Sequence, residues 1–134
     1  MRGYVLDACA LIALFNGEEG KTVLERVFVS GQPIRIAAVN VLEVAYDAVR
    51  SQKNAHAAKE VLDCVEKLGI EIVWTMTSTV LLHAAEFKSQ GRISLADSIA
   101  LALALDSGAK LVTADHHEFD AFEQAGLDVF EWIR

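Results

Sequence analysis

The sequence predicts an α/β protein of three layers, α/β/α, around a central parallel sheet. Short apolar runs alternate with longer segments of helical period from one end of the chain to the other. Gly69, Gly91, Gly108 and Gly126 each follow such a helical segment, where a left-handed closing residue is wanted. The segment "SLADSIALALALDSG" is apolar almost all round, as a helix buried on most sides must be.

The first strand is read at residues 3–6, "GYVL", and Asp7 behind it can cap a helix over 8–15. A second helix follows at 19–29, whose Phe, Leu and Val positions suit the core or a second subunit. The next strand is 34–37, "IRIA", before a helix at 39–51. There Asn40 can cap with Glu43 as the third helical residue of "NVLE". The 3,4,7 spacing puts Val41, Val44, Ala45 and Ala48 on one face and Glu43, Tyr46, Asp47 and Arg50 on the other. A helix at 55–68 precedes a strand at 70–73, "IEIV", and a helix at 78–90 precedes the apolar helix at 95–106. In the latter, Ser94 is the cap and Asp97 its box partner. The strand "KLVT" at 110–113 runs into Asp115, which with Glu118 makes a capping box for a helix at 116–125. A last strand is read at 128–130.

At 134 residues and 53% hydrophobic content, residues 1–134 read as one compact domain, without a linker or internal repeat. The net charge of −7 argues against holding nucleic acid by bulk attraction alone, yet it suits an enzyme whose acids gather around bound cations. Cys9 and Cys64 sit in apolar helical patterns, which predicts reduced, buried thiols and a cytoplasmic protein. The start "MRGYVLDACALIALF" imitates a secretory leader, but Asp7 interrupts its apolar run and "NGEEG" stands where small cleavage-site residues are needed. No apolar run reaches the roughly 18 residues that a membrane span requires.

Taken singly, Asp7, Glu43, Asp97 and Asp115 each have a capping or solvated-face reading. Their joint placement says more. Ligands of open parallel sheets bind beyond the carboxyl ends of the strands where strand order reverses, and Asp7 and Asp115 both follow such an end. Asp97 opens the most apolar helix, where a charge must be paired, capping or metal-bound. Converging carboxylates raise one another's pKa, and a hard divalent cation removes that cost. Mg²⁺ or Mn²⁺ held by two to four carboxylates can lower the pKa of a bound water and neutralise a scissile phosphate. That is nuclease chemistry.

At these residues the chain resembles the PIN-domain ribonucleases, and in size and layout the VapC-type toxins of toxin–antitoxin pairs. The resemblance rests on "YVLDACALIALF", "AAVNVLEVAYD", "ISLADSIALALAL" and "KLVTADHHEFD", in that order. It implies a PIN-like fold and Mg²⁺- or Mn²⁺-dependent hydrolysis of single-stranded or loop RNA. It also implies an antitoxin partner and a homodimer. Asp7, Glu43, Asp97 and Asp115 match its acidic quartet, with Asp7 and Asp97 as direct metal ligands, Asp115 as a metal ligand directly or through water, and Glu43 as a water orienter or a base beyond the metal's own ligands. Thr113 matches a small hydroxyl residue that supports the site. Cys9 stands where the family commonly has Ser or Thr, so a hydroxyl becomes a weak thiol.

Other features read as ordinary. His116 and His117 are adjacent on a helix and cannot easily share a zinc ion, and Asp120 is better placed on a helix surface than in the site. Arg50, Lys53, Lys88 and Arg92 could grip phosphates, though no aromatic platform adjoins them in sequence. Two alternatives stand beside the nuclease: a silent PIN-like scaffold that binds RNA or protein without cutting, and a phosphoacceptor receiver domain. The receiver needs a lysine after a late strand, and "LDVFEWIR" has none.

Overall fold

A computed structural model describes residues 3–134; Arg2, part of the leader-like start, lies outside the described residues. β1 (Tyr4–Leu6) leads into α1 (Ala8–Asn16) and α2 (Lys21–Val29), and β2 (Ile34–Ala37) into α3 (Ala38–Gln52) and α4 (His56–Lys67). β3 (Glu71–Val73) leads into α5 (Ser78–Gln90) and α6 (Leu95–Ser107). β4 (Lys110–Thr113) leads into α7 (His116–Gln124), and β5 (Phe130–Trp132) comes last. The strands pair in the order β3-β2-β1-β4-β5, all parallel, with Leu6 opposite both Ile36 and Val112.

The strand order runs outward from β1 in both directions, so the reversal lies between β1 and β4. Side chains alternate across the sheet. Val5 and Leu111 turn to a core shared with α5, α6 and α7, while Leu6, Ile36 and Val112 turn to a core shared with α1 to α4. These are the three layers that the alternating pattern predicts. α6 is the spine of the first core: Ile99, Leu101 and Leu103 are buried, each contributing about 1.5–3 kcal/mol by leaving water. Among the described residues no helix is long and apolar enough to cross a membrane.

Four sequence expectations are corrected. The last strand is Phe130–Trp132 rather than 128–130, because its register against β4 begins with Phe130 opposite Leu111. Asn40 is not a cap: α3 springs directly from β2, Ala37 takes the cap position without a side-chain bond, and Asn40 is buried inside the helix. Gly91 is extended at φ −155°, so α5 ends without a left-handed closure, whereas Gly69, Gly108 and Gly126 all have positive φ. Cys64 is exposed, because α4 buries only the narrow stripe of Ala57, Val61 and Val65. Cys9 and Cys64 are both free thiols, as expected, and Cys9 is half-buried.

Candidate active site

Asp7 leaves β1 at the strand reversal and is fully buried. Its Oδ1 accepts the Ala10 N–H at 2.8 Å, which caps α1, and its Oδ2 accepts the hydroxyl of Thr113 at the end of β4. That hydroxyl oxygen also accepts the Asp115 N–H at 3.0 Å. One threonine therefore ties the two acids across the switch point. Burial pushes the Asp7 carboxyl up to about 7; its two hydrogen bonds oppose the rise, and Asp115 and Glu43 add to it.

Asp97 arrives from the other side, in the first turn of α6. Ser94 caps that helix as expected, its Oγ accepting the Asp97 N–H at 3.1 Å. Burial raises the Asp97 carboxyl to about 8, reinforced by Asp7, Glu118 and Asp115 and opposed by Ser94. Asp115 caps α7 by accepting the Glu118 N–H at 3.1 Å. Glu43 stands on the exposed rim, its carboxyl raised by burial and by Asp115 and Glu118, and lowered by its hydrogen bond from Asn40.

Glu118 was legible only as half of a capping box, and the structure gives it a different partner. Its side chain accepts the Ser94 N–H at 3.0 Å, at the mouth of α6. Oxygens of Asp97, Asp115 and Glu118 consequently lie within 4.8 Å of one another. Asp7, Glu43 and Asp97 each feel the charge of Asp115, so the four acids are electrostatic neighbours, while the close triad itself is Asp97, Asp115 and Glu118. Asp7 sits behind this triad with both its oxygens already accepting hydrogen bonds.

The remaining residues have ordinary structural surroundings. Asp120 Oδ1 accepts from His116 Nδ1 at 2.7 Å, outside the acid group, and His116 stacks on Trp132 at 3.9 Å between ring centroids. His117 is exposed. The Cys9 thiol is pushed up to about 11, chiefly by burial and then by Asp7, so it stays protonated.

A PIN domain family model matches residues 4–124. The chain belongs to the PIN domain family. Among solved structures, this PIN domain is similar to a chain of a toxin–antitoxin complex from Klebsiella pneumoniae at 20% identity, covering 98% of each chain with a TM-score of 0.74. It is similar also to a chain of DNA-bound VapBC from Salmonella typhimurium, at 20% identity, 100% coverage of both chains and a TM-score of 0.72. A third is Mycobacterium tuberculosis VapC20, a Sarcin-Ricin loop cleaving toxin, at 17% identity, 93% and 96% coverage and a TM-score of 0.66. No curated protein matches the sequence.

Proposed function

We propose that this PIN domain is a metal-dependent endoribonuclease that hydrolyses single-stranded or looped RNA, and that it is the toxin of a toxin–antitoxin pair. The observation that carries the reading is the carboxylate triad of Asp97, Asp115 and Glu118 at the strand reversal, backed by Asp7 and rimmed by Glu43. Three acids from two helices within 4.8 Å repel one another unless protons or a cation intervene. An all-oxygen donor set of this kind fits Mg²⁺ or Mn²⁺ and not a softer metal. Asp97, Asp115 and Glu118 would hold the ion, with Asp7 as a further ligand or as the group that orients them. The bound cation would neutralise phosphate charge and acidify a water.

The chain's own residues account for the rest. Glu43, at the open rim, takes a proton from the attacking water as its oxygen bonds to phosphorus. The bond from phosphorus to the leaving sugar oxygen breaks, and that oxygen is protonated from solvent. Thr113 keeps Asp7 and Asp115 in register throughout.

Purified protein with Mn²⁺ or Mg²⁺ should cut structured RNA, and EDTA or Asp97→Asn should each abolish the cut. Cutting that persists in Asp97→Asn would remove the site assignment. A silent scaffold is separated by melting, since capping acids alone give no Mn²⁺-dependent rise in Tm. The toxin reading includes a cytoplasmic location, an antitoxin protein and a second copy of the chain as partners. Trp74, Met76, Leu81, Leu82 and Leu95 are exposed apolar side chains that support an interface.

A further inference from the structure

Asn40 is fully buried, yet its hydrogen bonding is only half complete. Its Nδ2 lies 3.3 Å from Glu43 Oε1 and 3.4 Å from the carbonyl oxygen of Ala96, the residue before Asp97. A carbonyl and an ionised carboxylate can only accept, so the amide must present its nitrogen to both. Turned over, it would set oxygen against two oxygens. The orientation is therefore fixed by its neighbours, and it directs Oδ1 away from them. That oxygen is buried and has no donor among the described residues.

Buried acceptors in folded proteins are satisfied by protein or by ordered water. A leucine of nearly the same shape would have filled this position without an unmet demand. The amide must therefore be justified by what it bonds. Oδ1 and Nδ2 share one carbon, so a water on the Glu43 side of Oδ1 is within reach of the carboxylate that Nδ2 grips. Such a water can give one O–H to Asn40 and the other to Glu43, leaving an oxygen lone pair free.

We propose that Asn40 is a positioning residue for hydrolysis at this site: its amide nitrogen fixes Glu43 against α6, and its free carbonyl oxygen holds a water beside that carboxylate. The role rests on the nuclease reading, in which Glu43 receives the proton of the attacking water. Asn40 touches neither phosphate nor cation; it acts through Glu43 and the water. The sequence spacing made it a helix cap, which is the role the fold denies it.

Asn40→Leu keeps the shape and removes both polar atoms, and Asn40→Ala serves should the leucine fail to fold. Both should lower kcat on RNA at least about tenfold, the scale of a misplaced proton acceptor, with KM changed less than about twofold. The metal-free Tm of Asn40→Leu should equal that of the wild type, because an apolar side chain of the same shape offsets the two long hydrogen bonds and the water that are lost. A merely structural amide would give the reverse, a lower Tm with kcat intact, and that result overturns the proposal. A crystal structure of the wild type should place a water about 2.7–3.2 Å from Oδ1, and a dry Oδ1 overturns it whatever the activity. A wild type that cuts no RNA with any divalent cation removes the nuclease reading and Asn40's role with it. Normal cutting by both variants removes Asn40's role alone.

Discussion

Glu118 Oε1 accepts the backbone N–H of Ser94 at 3.0 Å, so the first turn of α7 closes the N-terminus of α6. The acids of the two helices, Asp97 and Asp115, are spaced by this brace. Glu118→Gln keeps a carbonyl acceptor for Ser94 and removes a charge from the triad, whereas Glu118→Ala loses both. In EDTA the Gln variant should melt above the wild type, and the Ala variant should melt below the Gln variant by the worth of one capping bond. That is about 1 kcal/mol, or roughly 4 °C. Both should show a smaller Mn²⁺-induced rise in Tm than the wild type. Equal melting of the two variants would show that the brace carries no stability.

Stability without metal should fall as the pH rises. Burial raises Asp7 to about 7 and Asp97 to about 8, so between pH 4 and those values the folded chain holds protons that the unfolded chain has released. Each such group costs up to about 1.4 kcal/mol per pH unit across that window, Asp97 less because it keeps some contact with solvent. Melting in EDTA at pH 5 and pH 8 reads the effect directly. Asp7→Asn should flatten the slope while keeping the cap on α1, and a wild-type curve already flat would contradict the buried-acid account.

RNA should lean on Arg92. A cleft of about 320 Å³ beside Glu118 is lined by Gln90, Arg92 and His117 over the ring of Phe122. A phosphate next to the scissile one can meet Arg92 there. Arg92→Ala should raise KM several-fold, leave kcat nearly unchanged, and reduce the salt slope of binding by about one. A KM unmoved at both low and high salt would exclude the cleft from the RNA path.

Self-association should depend on the apolar surface of α5. Leu82 is 66% exposed and Leu81 52%. Leu82→Glu should shift sedimentation toward a monomer and remove the concentration dependence of Tm, while leaving Tm at low concentration unchanged because the side chain faces water in the single chain. A wild type that sediments as a monomer at high concentration would remove the homodimer.

The sequence was most informative where one residue's local role coincides with its functional place. Asp7 and Asp115 cap helices that begin at strand ends, so local capping chemistry and the strand pattern point to the same atoms. Glu118 escaped because three-residue spacing explains it completely within its own helix, while its bond to Ser94 spans 24 residues. Asn40 escaped for a related reason: an Asn three residues before a Glu reads as a helix start, and only the chain's passage from β2 straight into α3 moves it inside. The shift of β5 is a register effect, set by Leu111 and invisible in the apolar run itself. Local chemistry is written along the chain; contacts between elements are not.

The bond between Thr113 and Asp7 joins residues 106 positions apart. During synthesis, a chain that has emerged only through α6 carries Asp7, Glu43 and Asp97, but neither the threonine that holds Asp7 nor the acids of α7. The central pairing of β1 with β4 also awaits that last stretch. The acid cluster can thus close only after the stretch from β4 through the first turn of α7 has joined the rest of the chain.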